Sequence, residues 1–308
     1  MRALLVIGLV AIVAAVLLYS AMSFGQFGGG EKADKLKVVV SILPQSYVVG
    51  RIGGDKLEVQ VLVPSGFAPE TYEPTPKEIA YVSRADLYFR IGYIGFEKTR
   101  FENLVSINPL MKVVDTSASN RLRSIEAHSH EGEEGHSEEQ ELGHEEQEID
   151  PHVWLVPSMV EQQAQIILNT LVGLDVENEQ YYRDNFALFS NDLDELDNTL
   201  RKAFEPIRGK KMLVYHPAFG YLADEYGFEQ EYFQIEGKDP TAAQLQSIID
   251  LAKSEDIRVI FVQKQFSKES AEVIAEEING VVVEIDPLAE NYIENMKSIA
   301  DVVSSSLK

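Results

Sequence analysis

Short apolar runs alternate with amphipathic stretches along most of this chain. The runs rich in valine, isoleucine and leucine predict strands at Lys37–Ile42, Glu58–Val63, Leu87–Ile91, Lys112–Asp115, Met212–Tyr215, Arg258–Val262 and Val281–Ile285. Strands that alternate with helices pair in parallel, because the crossover connection returns the chain to the same end of the sheet. The pattern therefore predicts an α/β protein with a group of strands in each half.

Capping signals predict where several helices begin. Thr75 and Thr241 each precede an amphipathic stretch and are followed three residues later by Glu or Gln, which is the pattern of a capping box. The first of these helices is expected to run to about Arg84. Another helix is predicted from near Ser267 to Gly280, where a glycine ends the periodic pattern.

The most regular amphipathic stretch lies between the two groups of strands. Its apolar residues recur at steps of four and three, namely Tyr182, Phe186, Phe189, Leu193, Leu196, Leu200 and Phe204. They predict one helix over Asn178–Glu205, on the order of 40 Å long at ~1.5 Å per residue. We interpret the stripe as a surface packed in the core rather than a partner site. The predicted architecture is two lobes, each a parallel sheet with flanking helices, joined by one long rigid helix.

The N-terminal segment has the pattern of an export signal or membrane anchor. Arg2 precedes an unbroken apolar run, Ala3–Leu18, and a glycine-rich stretch follows at Gly25–Gly30. The run is longer than the usual ~7–15 apolar residues of a signal peptide and shorter than a comfortable ~20-residue span. No A-x-A cleavage site is evident, so we favour an uncleaved anchor, with a cleaved signal as the alternative. Either one predicts an extracytoplasmic protein, periplasmic or at the cell surface.

Charge and cysteine content narrow the possible chemistry. The chain has 50 acidic and 27 basic residues, a net charge of -23, which repels nucleic acid and attracts cations. It has no cysteine. Disulfides, thiolate metal sites, cysteine nucleophiles and lipid attachment at a cysteine are therefore excluded. Any transition metal must be held by histidines and carboxylates.

An acidic segment, 126–150, contains most of the histidines. The chain has six histidines, and four of them lie here: His128, His130, His136 and His144. The segment has almost no apolar residues, so it cannot bury enough surface to fold alone. A solvated acidic loop is the alternative, but we interpret the clustered histidines as a loop that collects metal ions weakly.

The two remaining histidines and two acidic residues are candidate metal ligands. His216 and Asp286 each directly follow a predicted strand, at the carboxyl end where open α/β sheets bind ligands. Glu70 lies in the loop after the second strand, and His152 lies between the two groups of strands. One histidine after a strand is weak evidence, but together these residues are suited to a metal site in a cleft between two lobes.

Four segments resemble the zinc/manganese group of ABC-transporter solute-binding proteins. They are Pro-Glu-Thr-Tyr-Glu-Pro-Thr-Pro at 69–76, Asp-Pro-His-Val-Trp-Leu at 150–155, His-Pro-Ala-Phe-Gly-Tyr at 216–221 and Asp-Pro-Leu at 286–288. Their order and spacing fit the family over residues 35–308. The resemblance implies two α/β lobes with a metal ion buried between them, and delivery of that ion to a membrane permease with a cytoplasmic ATPase.

The resemblance also implies how the chain is divided. The expected parts are an anchor and linker at 1–30, an N-terminal metal-binding lobe at 35–177, a linking helix at 178–207 and a C-terminal metal-binding lobe at 208–308. The acidic histidine-rich loop belongs to the N-terminal lobe. The protein is expected to act as a monomer that is attached to the membrane through its N-terminal segment.

The implied ligand set is Glu70, His152, His216 and Asp286. The first position is a departure, because the family has histidine where this chain has Glu70. Glutamate binds zinc at ~2.0–2.2 Å, as aspartate does, so the altered site remains suitable for zinc. The alternative is that Glu70 lies at the surface and that Glu73 or water takes its place.

Zinc is the expected cargo, with Mn²⁺ or Fe²⁺ as the alternative. A carboxylate in place of an imidazole favours harder ions, whereas the Irving–Williams order places zinc above manganese at any such site. Two other functions remain open, a metal-dependent hydrolase and a surface adhesin with a structural metal. No H-E-x-x-H helix or nucleophile elbow occurs, so we do not expect an enzyme.

Overall fold

The computed structural model describes residues 35–125, 149–234 and 240–308. Leu36–Lys308 forms one compact unit. The expectations for the N-terminal segment and for the four clustered histidines concern residues outside those described, so they remain predictions. None of the helices found in the described ranges has both the length and the hydrophobicity needed to cross a bilayer.

Two four-stranded parallel sheets form the framework. The first contains β1 (Leu36–Val40), β2 (Leu57–Val61), β3 (Leu87–Arg90) and β4 (Lys112–Asp115) in the order β2-β1-β3-β4. The second contains β5 (Lys211–Val214), β6 (Glu229–Tyr232), β7 (Val259–Gln263) and β8 (Val281–Ile285) in the order β6-β5-β7-β8. Neighbouring strands are parallel throughout both sheets. The predicted α/β class is therefore confirmed.

Helices lie between consecutive strands, and one more follows the last strand. They are α1 (Leu43–Gly53), α2 (Pro76–Val82), α3 (Gly95–Ile107), α4 (Pro157–Leu174), α5 (Glu179–Phe204), α6 (Gly220–Tyr226), α7 (Ala242–Ser254), α8 (Glu269–Ile278) and α9 (Tyr292–Ser306). Both predicted capping boxes are present. The Thr75 backbone N–H donates to Glu78 Oε2 at 2.8 Å before α2, and the Thr241 N–H donates to Gln244 Oε1 at 2.8 Å before α7.

The long amphipathic helix is confirmed almost to the residue. α5 has 26 residues, with Asn178 and Glu205 as its caps. Apart from Phe186, which is partly buried, the residues of the apolar stripe are at most 2% exposed. They pack against α1 and α4 on the side of the first sheet and against α9, which follows the second sheet. One helix thus carries a hydrophobic core from one half of the protein to the other.

One strand of the second sheet was missed in the sequence. β6 has the sequence Glu-Gln-Glu-Tyr and, among the strands of the described residues, pairs with β5 alone, at the edge of the sheet. An edge strand leaves backbone and side chains open to water, so it needs no apolar run. All the strands that were predicted are present.

Candidate metal centre

Three of the four predicted ligands meet at one point. Glu70 lies in the loop between β2 and α2, His152 caps a 3₁₀ turn at Val153–Leu155, and His216 follows β5. One ligand atom from each of these side chains lies within 4.8 Å of the others. Asp286, directly after β8, is not in this group. The structure therefore joins ligands from both halves of the chain.

The distances within this group suit one small divalent ion. His152 Nε2 and His216 Nε2 are 3.3 Å apart, and Glu70 Oε1 is 3.4 Å from each of them. Ligands at ~2.0–2.1 Å in a tetrahedron around zinc are separated by about 3.4 Å. The three side chains therefore already have nearly the spacing that a tetrahedral ion requires.

The surroundings of the three ligands are buried and narrow. His152 is 2% exposed and His216 is 5% exposed, and the cavity beside them has a volume of about 10 Å³. That is room for a single ion or water molecule. Much of the remaining wall is apolar, including Ala68, Trp154, Phe266 and Leu288. A charge in this low-dielectric space interacts strongly with its ligands.

Each histidine is oriented through its second ring nitrogen. His152 Nδ1 is 2.7 Å from Asp150 Oδ1, and His216 Nδ1 is 2.8 Å from Gln234 Oε1. Both partners accept hydrogen bonds, so Nδ1 carries the proton and Nε2 is left to bind an ion. Gln263 also fixes the backbone of His216, because its Nε2 donates to the His216 carbonyl at 2.6 Å and its Oε1 accepts from the His216 N–H at 3.2 Å.

The charges in the site hold a proton where the ion would bind. Burial by itself lowers the pKa of His152, but the charge and hydrogen bond of Asp150, together with Glu70, raise the pKa to about 9. For Glu70, burial opposes ionisation. The charge of His216 and hydrogen bonds from both histidines outweigh burial and hold the pKa of Glu70 well below its usual value. The ionised carboxylate therefore attracts a cation, which must displace a proton from His152.

A glycine allows the Glu70 loop to lie close to α3. A Cβ added at Gly95, the first residue of α3, would be 2.4 Å from the carbonyl oxygen of Glu70. Real Cβ atoms do not approach backbone this closely, so any other residue would push one of the two segments away. Gly95 thus sets the position of the Glu70 backbone.

The His152 segment is bonded to both ligand segments of the second half. Trp154 Nε1 donates to the carbonyl of Pro287 at 2.9 Å, next to Asp286. The hydroxyl of Tyr221 donates to the carbonyl of Asp150 at 3.0 Å. These two bonds hold the His152 segment against the carboxyl edge of the second sheet.

The remaining candidate acidic residues lie outside the group of three ligands. Asp286 Oδ1 accepts hydrogen bonds from Gln265 Nε2 at 2.9 Å and from the Leu288 N–H at 3.0 Å. Gln265 and Leu288 also line the metal cavity, so Asp286 is held beside it. Glu73 is paired with Arg100, and its side chain is 72% exposed. Glu70 therefore joins the histidines, and Glu73 does not.

Three glutamine contacts were missed in the sequence. Gln234 and Gln263 hold His216, and Gln265 holds Asp286. A signal was available for two of them, because polar side chains stand at the end of β7, between the strands that precede His216 and Asp286. Polar residues at the carboxyl edge of a buried strand are candidates for a ligand site.

Comparisons with known proteins identify a family for the chain. A family model described as zinc-uptake complex component A periplasmic, ZnuA, matches residues 38–306. The high-affinity zinc uptake system protein ZnuA of Bacillus subtilis (strain 168) is 33% identical over 317 residues, which cover 97% of each chain. A crystal structure of ZnuA matches with a TM-score of 0.80 and 34% identity, over 89% of this chain and 100% of that one. A ZnuA deletion mutant with zinc bound matches with a TM-score of 0.79 and 34% identity, over 89% and 99%.

Proposed function

This chain belongs to the ZnuA family of metal-binding proteins of ABC transporters, and we propose that it captures zinc and delivers it to an importer. The family consists of solute-binding transport proteins rather than enzymes. The proteins of this family are described as periplasmic, so this protein functions outside the cytoplasm. The expected partners are a membrane permease and its ATPase. We further propose that the N-terminal segment attaches a monomeric receptor to the membrane.

The observation that carries the proposal is the spacing of Glu70, His152 and His216. Donor atoms 3.3–3.4 Å apart match a tetrahedral zinc ion with bonds of ~2.0–2.1 Å. Two imidazoles favour zinc over manganese in the Irving–Williams series. The zinc uptake protein of Bacillus subtilis and the zinc-bound ZnuA mutant support the same cargo.

We propose Asp286 as the fourth ligand. It lies beside the cavity that the three other side chains border, next to Pro287 and Leu288 in the cavity wall. A site with four protein ligands has no open position for a reacting water. Such a closed site suits an ion that is carried and then released, rather than an ion that does chemistry.

The proposal is tested by metal competition in the full-length protein. A chelator competitor isolates tight binding from weak binding by the acidic loop. At equimolar concentrations, zinc is expected to displace manganese. Retention of manganese would contradict the proposed cargo.

The ligand assignment is tested with matched glutamate variants. Glu70→Ala should weaken zinc binding by at least about tenfold, since even outer partners of metal ligands cost that much. The loss should be smaller than for His152→Ala or His216→Ala, because water can replace one carboxylate oxygen. Glu73→Ala is the control, because Glu73 contacts only Arg100 in the described ion pairs. Unchanged zinc binding in Glu70→Ala would remove Glu70 from the ligand set.

A further inference from the structure

The two oxygens of the Asp286 carboxylate have unequal surroundings. Oδ1 accepts two hydrogen bonds, from Gln265 Nε2 at 2.9 Å and from the Leu288 N–H at 3.0 Å. Among the described residues, the partner of Oδ2 is Lys264 Nζ at 3.9 Å, and the Lys264 side chain is 55% exposed. A carboxylate held through one oxygen keeps the other oxygen for an ion.

The side-chain amide of Gln265 is oriented by Asp286. Its Nε2 donates to Asp286, while its Oε1 is buried and has no hydrogen-bond partner in the part of the chain that the structure describes. A buried carbonyl without a partner destabilises the fold. Rotating the amide by half a turn would exchange Nε2 and Oε1, so that Oε1 would face Asp286 Oδ1 and two acceptor oxygens would be in contact. The amide therefore keeps its donor contact with Asp286, and its own oxygen is left without a hydrogen bond among the described residues.

The position of this amide relates it to the cargo. Four buried side-chain atoms lack a partner within the described ranges, in Arg90, Asn120, Gln265 and Tyr292, and of these residues only Gln265 lines the metal cavity. We propose that Gln265 is a positioning residue that holds Oδ1 of Asp286 and thereby presents Oδ2 to the bound ion. This inference rests on the proposed function, since Gln265 acts on the cargo through Asp286.

The test removes the amide group and keeps the length of the side chain. Gln265→Met removes donor and acceptor together, and Gln265→Ala is a second variant in case methionine packs poorly. In full-length protein, zinc binding measured by chelator competition should weaken by about 10–100-fold, as for other partners of metal ligands. The visible absorption of the Co²⁺-loaded protein should also change, because it reports the ligands around the ion. The thermal unfolding midpoint of the metal-free protein should stay near that of the wild type.

A surface glutamine provides the matched control. Gln246 Nε2 donates to Asp250 Oδ1 at 2.9 Å on the exposed face of α7, which is the same kind of bond between residues that do not line the cavity. Gln246→Ala should leave zinc affinity and the Co²⁺ spectrum unchanged.

A double-mutant cycle decides whether Gln265 acts through Asp286. If it does, Gln265→Met has little further effect in an Asp286→Ala background. Full additivity would overturn the inference, as would wild-type affinity and spectrum in both Gln265 variants, or unchanged zinc affinity in Asp286→Ala. Failure of the wild-type protein to bind zinc tightly would instead overturn the proposed function.

Discussion

Replacing Asp150 with asparagine tests how the site exchanges a proton for an ion. Asp150 Oδ1 accepts from the His152 N–H at 3.0 Å and contacts His152 Nδ1 at 2.7 Å, and Asp150 is completely buried. Against the effect of burial, its charge is the leading reason that the pKa of His152 rises to about 9. Asparagine keeps the shape and removes the charge, so the pKa of His152 should fall toward the ordinary imidazole value of 6.5 or lower.

Zinc needs neutral His152, so the raised pKa opposes binding at neutral pH. At pH 7.5, with a pKa of about 9, proton competition lowers the apparent affinity by about 30-fold. The wild-type affinity should therefore rise by about tenfold per pH unit and level off above pH 9. In Asp150→Asn it should level off near pH 6.5 instead. Loss of the orienting carboxylate costs about 10–100-fold of its own. At pH 7.5 the relief of proton competition nearly cancels the loss of the orienting carboxylate, so the zinc affinity of the variant is close to that of the wild type. At pH 9.5 the zinc affinity of the variant is about 10–100-fold weaker.

Calorimetry in buffers of different ionisation enthalpy counts the protons that are released. At pH 7.5 the wild type should release about one proton from His152 for each tightly bound zinc, and Asp150→Asn close to none. Asp224→Asn is the control, because Asp224 pairs with Arg123, as Asp150 does, but has a largely exposed side chain. The reasoning fails if the wild type releases no proton from this site, or if Asp150→Asn keeps the wild-type pH slope.

Two further predictions concern packing. Gly95→Ala should weaken zinc binding, because the added Cβ would be 2.4 Å from the Glu70 carbonyl oxygen. Gly173→Ala is the control, because a Cβ there enters open space within α4. It should leave zinc binding unchanged and stabilise the helix by about 0.5–1 kcal/mol. Equal zinc affinity in both glycine variants would contradict the role given to Gly95. Leu196→Ala in α5 should lower the free energy of unfolding by about 2–5 kcal/mol, since Leu196 is 1% exposed, and Leu188→Ala, at 63% exposed, by less than about 0.5 kcal/mol. Similar denaturant midpoints for the two leucine variants would refute this account of α5.

Local signals explain why much of the fold was predictable. The capping boxes at Thr75 and Thr241 act within one helical turn, so their residues identify the helix starts directly. The five residues of β7 are all buried, and such a strand must be apolar. β6 is an edge strand with polar residues, so hydrophobicity does not reveal it.

The site was predictable only in part. The strand ends and family motifs indicated Glu70, His152 and His216, and the structure brings these side chains together. Asp286 lies beside the cavity and is bonded to Gln265, a contact between side chains that follow neighbouring strands. No pattern along the chain specifies which amide orients which carboxylate, because that choice depends on the distances between folded segments.

The bridging of two sheets by one set of ligands has a consequence for folding. His152 and His216 are 64 positions apart, and Glu70 comes from still earlier in the chain. Closing such long loops is slow, because their entropy is lost before the contact is gained. Glu70 follows a strand of the first sheet and His216 follows a strand of the second, so the group needs segments of both sheets in place. A chain that has not finished folding therefore lacks the three-ligand group, and only the folded protein holds Glu70, His152 and His216 together.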